Sequence, residues 1–130
     1  MDTKNILLVE DDPDCRTIYS RLLRHFGYGV LEAGNGEEAV RCARKHLPYL
    51  ILMDLRLPVL DGWTAAARLK ADPQTAPIPI IAFTAQVILG DDARARKAGF
   101  VRYFAKPVEP RDVLREIQYR IGPADPPHAA

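Results

Sequence analysis

Ile6-Leu7-Leu8-Val9 runs straight into three carboxylates, Glu10, Asp11 and Asp12, and Leu50-Ile51-Leu52-Met53 runs straight into Asp54. Apolar runs without alternation describe strands buried on both faces, as in a parallel sheet covered by helices. Carboxylates at the carboxyl ends of such strands fall where open α/β sheets place their ligand crevice. Acids following core strands so closely are poorly explained as loops that merely face water. Anions crowded there repel one another, and a divalent cation is their natural neutraliser. Oxygen ligands favour magnesium or calcium over zinc.

The rest of the chain repeats this alternation. Strands are predicted at about Asn5–Val9, Gly29–Ala33, Tyr49–Met53, Ile78–Phe83 and Val101–Ala105. Pro79 is placed at the start of the fourth strand, because proline cannot donate to a ladder. Helices are predicted at Pro13–Phe26, from Glu37 to near His46, and at Trp63–Ala71, Leu89–Ala98 and Pro110–Ile121. Pro13 suits a first helical turn, and Gly27 stops helix one. Cys15, Ile18, Tyr19, Leu22 and Phe26 recur at helical spacing, as do Ala39, Val40 and Ala43, and Val113, Leu114, Ile117 and Ile121. Alternating βα units imply a parallel sheet with right-handed crossovers and helices on both faces. Five units fit one flavodoxin-like α/β domain over residues 1–121, with strand order 2-1-3-4-5. The Pro- and Ala-rich residues 122–130 are expected to be a disordered tail.

In that order strands one, three, four and five are neighbours. Their ends bring together Glu10, Asp11 and Asp12, then Asp54, then Thr84, then Lys106. A carboxylate nucleophile, a cation site, a hydroxyl and an ammonium suit phosphoryl transfer, which needs positioning and charge stabilisation above all. Blander readings stand beside this one. Thr84 alone would serve as a helix-four cap, Lys106 as a solvated lysine, and Tyr103 as a half-buried aromatic. Asp61-Gly62 reads as turn and cap chemistry. Trp63 reads as packing or surface contact, and His25 and His46 as helix-end residues.

Leu8-Val9-Glu10-Asp11-Asp12, Met53-Asp54-Leu55-Arg56-Leu57-Pro58 with Asp61-Gly62, Thr84-Ala85 and Lys106-Pro107 occur in order on matched strands. In this the chain resembles the CheY-like receiver domains of two-component response regulators, from about Asn5 to Ile121. The resemblance implies that Asp54 accepts a phosphoryl group from a histidine kinase or histidine phosphotransfer protein. It implies a Mg2+ site of Glu10, Asp11, Asp54 and the Arg56 backbone carbonyl, with Asp12 in a supporting or loop role. Thr84 and Lys106 would engage the phosphoryl group, and Thr84 and Tyr103 would form a switch. Arg56 and Gln86 would modulate phosphoryl lifetime, and Lys106–Pro107 would be cis. Such a protein is no conventional enzyme, although it catalyses its own phosphotransfer and autodephosphorylation. Output is expected through a downstream protein bound by helix four, strand five and helix five, with a phosphorylation-dependent homodimer as an option.

Competing chemistries fit less well. A haloacid-dehalogenase-type phosphatase wants an acid where Arg56 stands. An FMN carrier would set its phosphate against Glu10-Asp11-Asp12, and no Walker motif is present. Lys and Arg total 18 against 17 Asp and Glu, without a basic run, so no nucleic-acid footprint is expected. Cys15 and Cys42 are expected to be reduced small hydrophobes. No segment has the length of a membrane span, and a cytoplasmic location is expected. A free-standing regulator, a receiver excised from a larger regulator or hybrid kinase, and an inactive pseudo-receiver are the contexts to separate.

Overall fold

The computed structural model describes residues 3–85 and 91–124. Five strands alternate with five helices: β1 Asn5–Val9, α1 Pro13–His25, β2 Gly29–Ala33, α2 Gly36–His46, β3 Leu50–Asp54, α3 Gly62–Ala71, β4 Ile80–Thr84, α4 Asp91–Lys97, β5 Arg102–Ala105 and α5 Pro110–Ile121. The strands form one parallel sheet in the order β2-β1-β3-β4-β5, as expected.

Strand periodicity divides the core into two layers. Leu7, Val9, Ile51, Met53, Ile80 and Ala82 pack with Ala39, Val40, Ala65, Leu69 and Ala95, so α2, α3 and α4 cover one face. Ile6, Leu8, Leu50, Leu52, Ile81 and Phe83 pack with Tyr19, Leu23, Val113, Leu114 and Ile117, so α1 and α5 cover the other. β1, β3 and β4 are buried on both sides, which accounts for their unbroken apolar runs.

Helix ends follow local chemistry. Asp12, Asn35 and Asp61 cap α1, α2 and α3 through side-chain oxygens that accept from the N–H groups of Asp14, Glu38 and Thr64. β4 begins after Pro79, whose carbonyl accepts from the Ile51 N–H at 3.0 Å. The α1 inventory needs correction. Tyr19 and Leu23 are its buried apolar residues, while Ile18 and Phe26 are 56% and 46% exposed. The predicted start of helix four at Leu89 lies outside the described residues.

The start of the expected tail packs on the domain. Lys4 Nζ donates to the carbonyls of Ile121 and Pro123 at 2.8 and 2.9 Å, and Tyr28 Oη donates to that of Gly122 at 2.7 Å. Ala124 is buried in the α1/α5 layer. Residues 122–124 therefore pack on the domain, and residues 125–130 lie outside the described residues. Among the described residues, no helix is long and apolar enough to cross a membrane.

Candidate functional site

The core alternation carries straight into the crevice. Glu10 continues Ile6 and Leu8, Asp54 continues Leu50 and Leu52, and Lys106 continues Phe104, all on the α1/α5 side. Glu10 and Asp54 are buried, and Lys106 is partly exposed. Lys106 Nζ pairs closely with Glu10 Oε1 and lies 3.3 Å from Asp54 Oδ2. It also sits 4.4 Å from the centroid of the Phe83 ring, a cation–π contact that helps hold the ammonium over the apolar layer. The Lys106–Pro107 peptide is cis, as expected.

Backbone groups fix the two buried carboxylates. The Arg56 N–H donates to Asp54 Oδ1 at 3.0 Å, and the Asp12 N–H to Glu10 Oε2 at 3.2 Å. Asp11 is exposed at the crevice mouth. Carboxylate oxygens of Glu10, Asp11 and Asp54 all lie within 4.8 Å of one another. Thr84, buried at the end of β4, lines the same crevice together with Ala85. Tyr103 lies on β5, half-buried against the α2–α4 layer. Arg56 lines the crevice, and Gln86 lies outside the described residues.

Electrostatics separates the acids. Burial would raise Glu10, but Lys106, with help from the Cys15 thiol and Asp54, holds it down at about 2. Burial pushes Asp54 up to about 6, opposed by the Arg56 N–H and reinforced by the Glu10 charge. Asp11 is raised by burial and by Glu10. Lys106 resists its own burial because Glu10 and Asp54 stabilise the ammonium, and its pKa rises. One ammonium facing three carboxyls leaves a site short of positive charge. Hard oxygen donors in that arrangement suit a small divalent cation.

Three contributors escaped the sequence reading. Cys15 lies beside Glu10, and burial with the Glu10 charge pushes its thiol pKa to about 12. Trp63 and Arg94 line the same crevice, with the Arg94 guanidinium carbon 4.0 Å from the Trp63 ring centroid. Neither has a signal in sequence, because the stack joins α3 to α4 only once the sheet assembles.

Residues 6–118 match the family model described as response regulator receiver domain. The chain belongs to this family. Among similar receivers, the polar-differentiation response regulator DivK of Brucella anthropi is 36% identical over 93% of this chain and 98% of its own length. The receiver domain of a sensor histidine kinase from Pseudomonas aeruginosa, solved with a magnesium ion coordinated in its active site cleft, is 40% identical. It covers 93% of this chain and 99% of its own, with a TM-score of 0.84. A CheY-like receiver domain protein from Methanospirillum hungatei is 27% identical, covers 92% and 94% of the two chains, and has a TM-score of 0.86. The flavodoxin-like receiver fold and the phosphorelay class expected from the motifs both stand.

Proposed function

We propose that this receiver is an active phosphoacceptor, with Asp54 as the acceptor carboxylate. The observation that carries the reading is the intact constellation itself: Asp54 buried in the crevice, with Lys106 Nζ at 3.3 Å, Glu10 and Asp11 beside it and Thr84 in the same lining. An inactive pseudo-receiver would have no need of buried acids held at the edge of a core. In the reaction an Asp54 oxygen bonds to phosphorus as the bond from phosphorus to the donor imidazole nitrogen breaks. The electron pair stays with that nitrogen, which is protonated from solvent. Lys106 and the Thr84 hydroxyl then meet the phosphoryl oxygens.

Asp11, Asp54 and the Arg56 carbonyl would hold a magnesium ion, with Glu10 acting through a bound water. The ion would supply charge neutralisation for the phosphoryl oxygens. Arg56 and Gln86, two places beyond Asp54 and Thr84, would set how long the phosphoryl group survives against water. The donor would be a histidine kinase or histidine phosphotransfer protein, acting in the cytoplasm. Output would pass to a protein partner, or to a second copy, through α4, β5 and α5, with Thr84 and Tyr103 as the switch. Relatives of both contexts support a stand-alone regulator and a kinase-borne receiver alike.

Incubation with acetyl phosphate and Mg2+ should add one phosphoryl group by intact mass, and Asp54→Asn should add none. Continued stoichiometric labelling of that variant would reassign the acceptor.

A further inference from the structure

Arg94 lines the crevice with its guanidinium over an aromatic ring. Its guanidinium carbon is 4.0 Å from the centroid of Trp63. Trp63 in turn meets buried Phe100 edge-on, with centroids 5.6 Å apart and rings at 89°. The three residues form a stack from the core to the crevice lip, so the outermost member is positioned although it is exposed. Lys106 is already engaged by Glu10 and Asp54. Arg94, among the described residues, forms no ion pair. Asp61 and Asp12 line the same crevice, yet the guanidinium rests on the ring.

That arrangement suits capture of an anion. A guanidinium over a ring face is held by the ring quadrupole and keeps its in-plane N–H fork for hydrogen bonding. A phosphodonor brings its phosphoryl group as an anion into a crevice walled by Glu10, Asp11, Asp12, Asp54 and Asp61. Positive charge in the same crevice offsets that repulsion during approach. We propose that Arg94, positioned by Trp63, binds the anionic phosphoryl group of the donor before its transfer to Asp54. This rests on the reading of Asp54 as acceptor.

The test is the initial rate of phosphorylation of the full chain by acetyl phosphate at saturating Mg2+, followed by intact mass at low and high salt. Arg94→Met should lower the rate per unit donor about fivefold at low salt, the size expected for an exposed charge acting on an anion. The deficit should shrink at high salt as screening removes the electrostatic part. Arg94→Lys should recover part of the rate, and Trp63→Leu should lose part of it. Phosphoryl lifetime should not move. Equal rates for wild type and Arg94→Met overturn the proposal. So does a salt-independent loss that lysine fails to rescue, which would mark a structural role, or a change confined to lifetime. Absence of labelling in the wild type would instead overturn Asp54 as acceptor.

Discussion

Burial pushes the Asp54 carboxyl up to about 6, while the neighbouring Glu10 is held near 2 by Lys106. One residue therefore carries the cost of a crowded crevice and the other is made permanent as an anion. The consequence for stability has a definite sign. A carboxyl whose folded pKa exceeds its unfolded value supports the fold fully below pH 3.8 and loses that support as pH rises through about 6. Metal-free Asp54→Asn should thus be more stable than wild type at pH 7.5, by up to about 3 kcal/mol. The gain should vanish toward pH 4. Denaturant melts at both pH values read this directly, and a less stable variant at pH 7.5 would mean that Asp54 is well compensated. Mg2+ should narrow the difference by stabilising the wild type.

At the scale of elements, the crevice depends on how closely α3 approaches β3. A Cβ added at Gly62 would lie 2.4 Å from the Asp54 carbonyl oxygen and 2.7 Å from Leu55 Cα. Both are backbone atoms, so no side-chain rotation relieves the clash. Gly62→Ala should cost roughly 1–3 kcal/mol, the range of overpacking, and should slow labelling because the backbone carrying Asp54 must move. Asp61→Ala removes the α3 cap, whose Oδ1 accepts from the Thr64 N–H at 2.8 Å. It should cost about 1 kcal/mol and leave the Asp54 backbone in place. Thermal melts with parallel labelling rates would separate the two. A Gly62→Ala variant labelled at the wild-type rate would show that the close approach is dispensable for the site.

Across the whole molecule, the crevice and the proposed output face meet at the adjacent strands β4 and β5. Thr84 ends β4 and Tyr103 lies on adjacent β5, with Ala82 paired to Tyr103 and Thr84 to Ala105. Beyond them Glu116 of α5 binds Arg120 at 2.7 Å and approaches Arg102 at 4.0 Å. On the proposed reading, new negative charge at Asp54 would draw on Thr84 and Lys106 together and bias the β4–β5 edge and the helices on it. Hydrogen exchange with and without a phosphoryl mimic should therefore change in α4 and β5 as well as around Asp54. Changes confined to the crevice, with α4 and Tyr103 silent, would move the output surface elsewhere.

Sequence patterning determined the alternation of strands and helices and the polar residues that end the strands: an apolar run, a polar residue at its end, a helix between. The strand order, and with it the convergence of Glu10, Asp11, Asp54, Thr84 and Lys106, came from likeness to a known fold. Periodicity placed α5 to the residue, because its apolar stripe is flanked by Pro110 and Gly122. It misjudged α1, where Ile18 and Phe26 share the helical spacing but project past the sheet that Tyr19 and Leu23 reach. Only the tertiary structure decided what acts across elements: the Cys15 thiol beside Glu10, the Lys106 ammonium over Phe83, the packing of Ala124, and Arg94 on Trp63. Those contacts join residues distant along the chain, and their energies exist only once the sheet has set the distance between its helices.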